Sequence, residues 1–306
     1  MKLACLAGLG CAVLAAACST PVRPEAPSEV FFDDFSQAHL DALAGDGWSV
    51  RVKPGHPGIA GAAWGAEGVA LADDPQQPGN RLLRLSARTD GTAAGTVQAQ
   101  VCHARKYLAG TYAARVRFSN APTQGPDGDV VVQTFYSVSP LRFDFDPEYS
   151  ELDWEYLPNG GWGDARPRLY GVTWQTVRIE PWTAYNQPVE RFGELSGWHL
   201  LVMQVGDGHS RFFLDGELLA EHGGRNHPAV PMAINFNLWF SPGGQLPGVS
   251  AMRSYQQEVD WVYHARNRLL SPSEVGAEVA RLRDARTTFK DSVPPMNPPL
   301  ASTCDF

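Results

Sequence analysis

The stretch SELDWEYLPN, residues 150–159, constrains the fold more than any other, because Glu151, Asp153 and Glu155 alternate in it with Leu152, Trp154 and Tyr156. Successive side chains of a strand point to opposite sides. The pattern therefore predicts a β-strand with three carboxylates on one face and an apolar, aromatic face turned into a core. Like charges two residues apart repel, and a merely structural strand has no reason to accept that repulsion. The plain alternative is a solvated outer face.

Many further segments read as strands: 30–36, 80–88, 95–103, 110–119, 129–138, 168–177, 198–206, 210–222, 232–240 and 257–265, separated by Gly, Pro, Asn and Asp clusters. Within 210–222, Asp215-Gly216 between apolar runs is a two-residue hairpin signal. One helix is expected, over 272 to about 285. There Ser271 and Glu274 make a capping box, Pro272 stands in the first turn, and Val275, Val279 and Leu282 share a face. Many short strands and a single helix predict an all-β sandwich or jelly roll of two antiparallel sheets. With 306 residues, 43% of them hydrophobic, one large domain over 30–270 is expected, followed by the helix and a mostly irregular tail over 271–306.

Residues 1–17 carry Lys2, an apolar run too short to span a membrane, and small residues before Cys18, as a secretion signal does. LAAAC at 14–18 resembles a bacterial lipoprotein lipobox, with Ala15 where Leu is usual, which implies cleavage before Cys18 and acylation of its thiol. The chain is thus expected to be exported, held at a membrane on its periplasmic or cell-surface side by an N-terminal lipid or, if the signal is an ordinary cleavable one, secreted, with the proline-rich segment 18–29 as a flexible tether. Of five cysteines, Cys5 and Cys11 leave with the signal. Cys102 and Cys304 remain, either paired or with Cys102 as a buried free thiol. Losing Lys2 takes the formal charge from −8 to −9, and no basic run stands out, so nucleic acid is not an expected partner.

Taken in order, FFDDFS with Trp48, NRLLRLSAR, GTYAARVRF, GDVVVQTFYSV, SELDWEYLPN, FFLDGELL, PMAINFNLWF and EVDWVYHA resemble the family 16 glycoside hydrolases over roughly residues 30–265. The motif style is similar to that of the lichenase and xyloglucan endotransglycosylase branches. The resemblance implies a concanavalin A-like β-jelly roll with a polysaccharide cleft. It also implies retaining cleavage, with Glu151 as nucleophile, Glu155 as general acid/base and Asp153 tuning the nucleophile. Trp154 and Pro158 depart from the family pattern, and the loop YSVSPLRFDFDPEYS matches no known specificity. Glycoside cleavage suits adjacent acids, since one carboxyl must hold a proton while another is ionised. Residues four apart on a flat strand stand about 13 Å apart, whereas a retaining pair needs carboxyls about 5–5.5 Å apart, so the side chains must lean together.

Sugar faces stack on aromatic rings while their hydroxyls take hydrogen bonds, which makes Asn237, Trp239, Trp162 and Trp174 the candidate substrate-binding residues. Trp48, Trp154 and Trp261 are assigned to the core. His222 and His227, expected in a loop, are too weak a pair to hold a metal. No cofactor is expected for catalysis. The resembled family implies a structural calcium, with Asp260 as candidate ligand and a buried, paired Asp as the alternative. A polysaccharide substrate and a monomer are expected. A non-catalytic lectin-like lipoprotein, a structural envelope lipoprotein and a transglycosylase are the competing readings.

Overall fold

The computed structural model describes residues 28–301 and Cys304. The expected signal, Cys18 and nearly all of the tether lie outside the described residues. Strands β1 (Val30–Asp33), β2 (Trp48–Val50), β3 (Ala63–Trp64), β4 (Val69–Asp73), β5 (Arg81–Thr89) and β6 (Val97–His103) lead into β7 (Gly110–Phe118), β8 (Val131–Val138) and β9 (Glu151–Leu157). Then come β10 (Arg168–Arg178), β11 (Thr183–Phe192), β12 (Gly197–Gly206), β13 (His209–Leu214), β14 (Glu217–Gly223), β15 (Ala233–Phe240) and β16 (Arg253–Arg266). A helical turn, α1 (Ala42–Gly45), follows β1; helix α2 (Pro272–Asp284) and β17 (Phe289–Asp291) follow β16.

One sheet runs in the order β2-β6-β15-β8-β9-β10-β11. The other is built on β16, which pairs with β1, β5 and β7, and continues through β12, β13 and β14. Pairings are antiparallel except for the parallel β3–β6 contact. This is the jelly roll of two antiparallel sheets expected from the many short strands.

The apolar face of β9 fills the space between the sheets. Leu152, Trp154 and Tyr156 meet, in one continuous core, Leu83, Leu85, Val116 and Met203 from the opposite sheet. Trp154 is fully buried and stands edge-on to Phe212 at 5.3 Å. Truncating such a ring costs about 3–5 kcal/mol, so this half of the alternation fixes the strand's register. Trp48 lies in the same core, while Trp261 packs in a second one, beneath Val275, Val279 and Leu282 of α2. The capping box of α2 is formed, and the hairpin turn is made by Asp215 and Gly216, both at positive φ (50° and 92°).

Beyond the short elements between β1 and β5, none of which was expected, the structure differs from expectation in β11 and in the tail. β11 was not foreseen, because it is an outer strand, largely exposed and carrying Pro188, and so shows no clean alternation. The tail is tied down twice: β17 pairs with β1, and Cys304 is bonded to Cys102.

Candidate functional site

With Trp154 and its neighbours turned inward, the three acids of β9 stand on the outer face of the first sheet. Glu155 lies opposite Thr134 of β8 and Tyr170 of β10, Asp153 opposite Tyr136 and Val172, and Glu151 opposite Val138 and Trp174. The same rows continue through Asn237 and Asn235 of β15 to Gln100 and Cys102 of β6. Five strands thus present one polar surface. Asn237 accepts from the Thr134 hydroxyl (2.6 Å) and donates to the Tyr136 hydroxyl (3.1 Å), which fixes its amide orientation.

Glu151 and Asp153 are only 6% and 4% exposed, and among the described residues no Lys or Arg forms an ion pair with any of the three acids. Burial, the neighbouring Glu155 charge and the opposing hydrogen bonds leave Glu151 at about 8, and burial takes Glu155 to about 7. Asp153 is raised well above the usual carboxylate range by burial and by the charges of Glu151 and Glu155. One Asp153 oxygen accepts from the Trp174 indole; the other is buried with no donor. A proton on Asp153, shared with the adjacent Glu151 carboxylate, answers that need.

The two glutamates differ in their donors. Glu151 accepts from the Tyr149 hydroxyl at 2.5 Å and lies in reach of Asp153, whereas no hydrogen bond to the Glu155 carboxylate is found among the described residues. Glu151, at about 8, ends above Glu155, at about 7, so the shifts alone leave Glu155 the readier anion; what sets Glu151 apart is its donors, which point at the carboxylate that an attack would need. Tyr149 was missed from sequence. It precedes the strand in a loop, and nothing in the local pattern signals that its hydroxyl turns back onto Glu151.

At the Glu155 end the aromatic candidates separate. Trp162 is 50% exposed, its ring 5.4 Å from Tyr170 and 6.5 Å from Trp239, and its indole donates to Ser241. It sits at positive φ (53°) between glycines, in a turn that buried Arg168 pins through Gly161 O and Asp164 O. A depression of about 390 Å³ opens beside it, lined by Asn159, Asp164 and Ser241. Trp239 shares the parity of Asn237 but is 7% exposed, packed among Trp64, Val132 and Leu157. It supports the wall, and Trp162 and Tyr170 supply the open ring faces.

Other expectations are corrected. Asp260 accepts hydrogen bonds from Asn80, Arg115 and Arg283. Two guanidinium groups take up its oxygens, which is the buried, paired carboxylate of the two readings of this residue. No cluster of three or more His, Cys, Asp or Glu able to hold a metal occurs among the described residues. His222 is not in a loop: it is buried on β14 with Thr173 as its partner.

The jelly roll is shared with known glycan-degrading proteins. No family model matches the sequence, and no curated protein does. Among solved structures, the Bacillus licheniformis beta-glucanase superposes with a TM-score of 0.55 at 16% identity, covering 79% of this chain and 100% of that one. A Bacteroides ovatus mixed-linkage glucan GH16 protein, solved with a G4G4G3G product, gives 0.58 at 15% identity, covering 76% and 98%. LamAcat from Zobellia galactanivorans gives 0.54 at 15%, covering 78% and 98%. At these identities the likeness is one of fold.

Proposed function

We propose that this chain is an endo-acting glycoside hydrolase of the family 16 type, cleaving a β-linked polysaccharide with retention of configuration. The observation that carries the reading is the β9 row: three carboxyl groups on one face, Glu151 and Asp153 buried and Glu155 half-buried, with no Lys or Arg paired to them among the described residues, beside open aromatic rings. Glu151, held by Tyr149 and Asp153, attacks the anomeric carbon as an anion. Glu155, its pKa raised to about 7, protonates the departing glycosidic oxygen and then deprotonates the water that releases the sugar. Asp153 keeps a proton and steadies Glu151. Trp162, Tyr170 and Asn237 receive the glycan, with Trp174 holding Asp153 in place. Two of the solved neighbours, named as a beta-glucanase and as a mixed-linkage glucan GH16 protein, support a β-glucan as the first substrate to try. Export and a lipid on Cys18 belong to the same reading, and Cys18→Ser is expected to move the protein into the aqueous phase of a detergent extract.

Azide rescue tests the assignment. With an aryl β-glycoside, Glu155→Ala still glycosylates Glu151, and azide restores turnover as a β-glycosyl azide; Glu151→Ala is rescued only as the α-azide. Wild-type rates in both variants would show that the active site lies elsewhere. Binding without cleavage by the parent on a panel of β-glucans, xyloglucan and galactans would leave the lectin reading.

A further inference from the structure

We propose that His56 and Trp182 form a clamp across the acid-bearing face, so that a β-glucan enters by its chain end and is not laid in along its flank. The proposal rests on the hydrolase reading above. The segment carrying His56 leaves the sheet after β2, at one edge; Trp182 sits in the turn between β10 and β11, at the other. Four strands, β6, β15, β8 and β9, lie between β2 and β10, which is about 24 Å of flat sheet. The two rings nevertheless stack, with centroids 5.5 Å apart and planes at 28°.

Both feet of the bridge are built. Arg51 donates to the backbone carbonyls of Lys53 and His56 and lies 4.2 Å over Trp64. Arg178 donates to Pro181 O and to the Thr183 hydroxyl on the other side. From Trp182 the contact runs edge-on to Trp174, 6.0 Å away, whose indole donates to Asp153. Through Trp174 the bridge is joined to the acid-bearing face at its Glu151 end. Trp182 is 54% exposed, so core packing does not explain its place. A sugar ring can stack on either partner. A polymer threaded beneath them is cut at internal linkages that are reached from an end.

The test compares a linear β-1,3-glucan with a cyclic β-1,3-linked glucan, which has no end, by calorimetric binding and by release of reducing sugar, using the full-length protein. The wild type is expected to bind and cleave the linear chain at least about tenfold better than the ring, and His56→Ala and Trp182→Ala to bring the ratio toward one. Unfolding midpoints within about 2 °C of wild type would separate this from misfolding. Equal handling of both glucans by the wild type, an unchanged ratio in both variants, or binding of neither glucan would overturn the clamp. Binding of the linear chain alone without cleavage would sink the hydrolase reading and leave the clamp standing.

Discussion

Strands β9 and β16 both carry acids two residues apart beside a tryptophan, ELDWE in one and EVDW in the other, and they treat those acids in opposite ways. On β16, Glu258 is bonded to Arg84 and Arg117, and Asp260 to Arg115 and Arg283. Burial pushes Asp260 up, yet its hydrogen bonds and the charge of Arg283 outweigh it, and the carboxyl ends below its ordinary range. On β9 burial works with no paired cation among the described residues, and all three acids end above theirs. The same residue type becomes a permanent anion or a proton carrier according to what faces it across the fold.

The sharpest way to break this comparison is by rate. Glu155→Gln and Glu151→Gln are each expected to lower kcat on a cleaved polysaccharide by about 10²–10⁴ or more, while Glu258→Gln leaves it within a factor of a few. A large loss in Glu258→Gln, with the fold intact by circular dichroism, would remove the distinction.

Next in size is the charge pair at the start of β16. Arg253 grips Asp129 with two nitrogens, at 2.7 and 2.9 Å, and both side chains are fully buried. Arg253→Met strands a buried carboxylate and is expected to cost about 3–5 kcal/mol in denaturant unfolding.

A pH series separates the strands by sign. Glu151 has its folded pKa raised from 4.5 to about 8, so the folded state binds more protons than the unfolded one between those values, and stability falls as pH rises through that window. Glu151→Gln removes the loss and should stabilise the protein at pH 8 by on the order of 1–2 kcal/mol relative to its effect at pH 4. Asp260, depressed in the folded state, contributes stability above its unfolded pKa of 3.8 and loses it as pH falls through the folded value. Asp260→Asn should therefore harm most at neutral pH and least in acid. Parallel pH curves for the two variants would contradict the assignment.

The smallest effect is expected from the cap of α2, the helix whose Arg283 serves Asp260. Ser271→Ala should cost about 1 kcal/mol of stability with no change in cleavage rate.

How far the site was legible follows from where each partner lies. Alternation along β9 is local, so the strand, its inward face and the shared side of the three acids could be read from ten residues. The α2 cap and the Asp215-Gly216 turn are equally local. Asp260 left two readings open because its arginines come from β7 and α2, 145 and 23 residues away. Trp239 and Trp162, both read as sugar-stacking candidates, part company for a similar reason. Parity puts Trp239 on the right side, but only the fold reveals that Trp64 covers it, while the glycine-rich turn that exposes Trp162 carries no periodic signal. Tyr149, Arg51 and Trp182 were invisible because each acts from a loop.

The bond between Cys102 and Cys304 joins residues 202 positions apart, and Gln100, in the row of Glu155, donates to the Cys304 carbonyl. A ribosome makes Glu151, Asp153 and Glu155 about 150 residues before it reaches Cys304. The acid row is therefore present in the growing chain well before its own face is closed, and the last covalent event in assembling this surface waits for residues made near the end of synthesis and for an oxidant to join them. Completion of the site is set by time as well as by sequence.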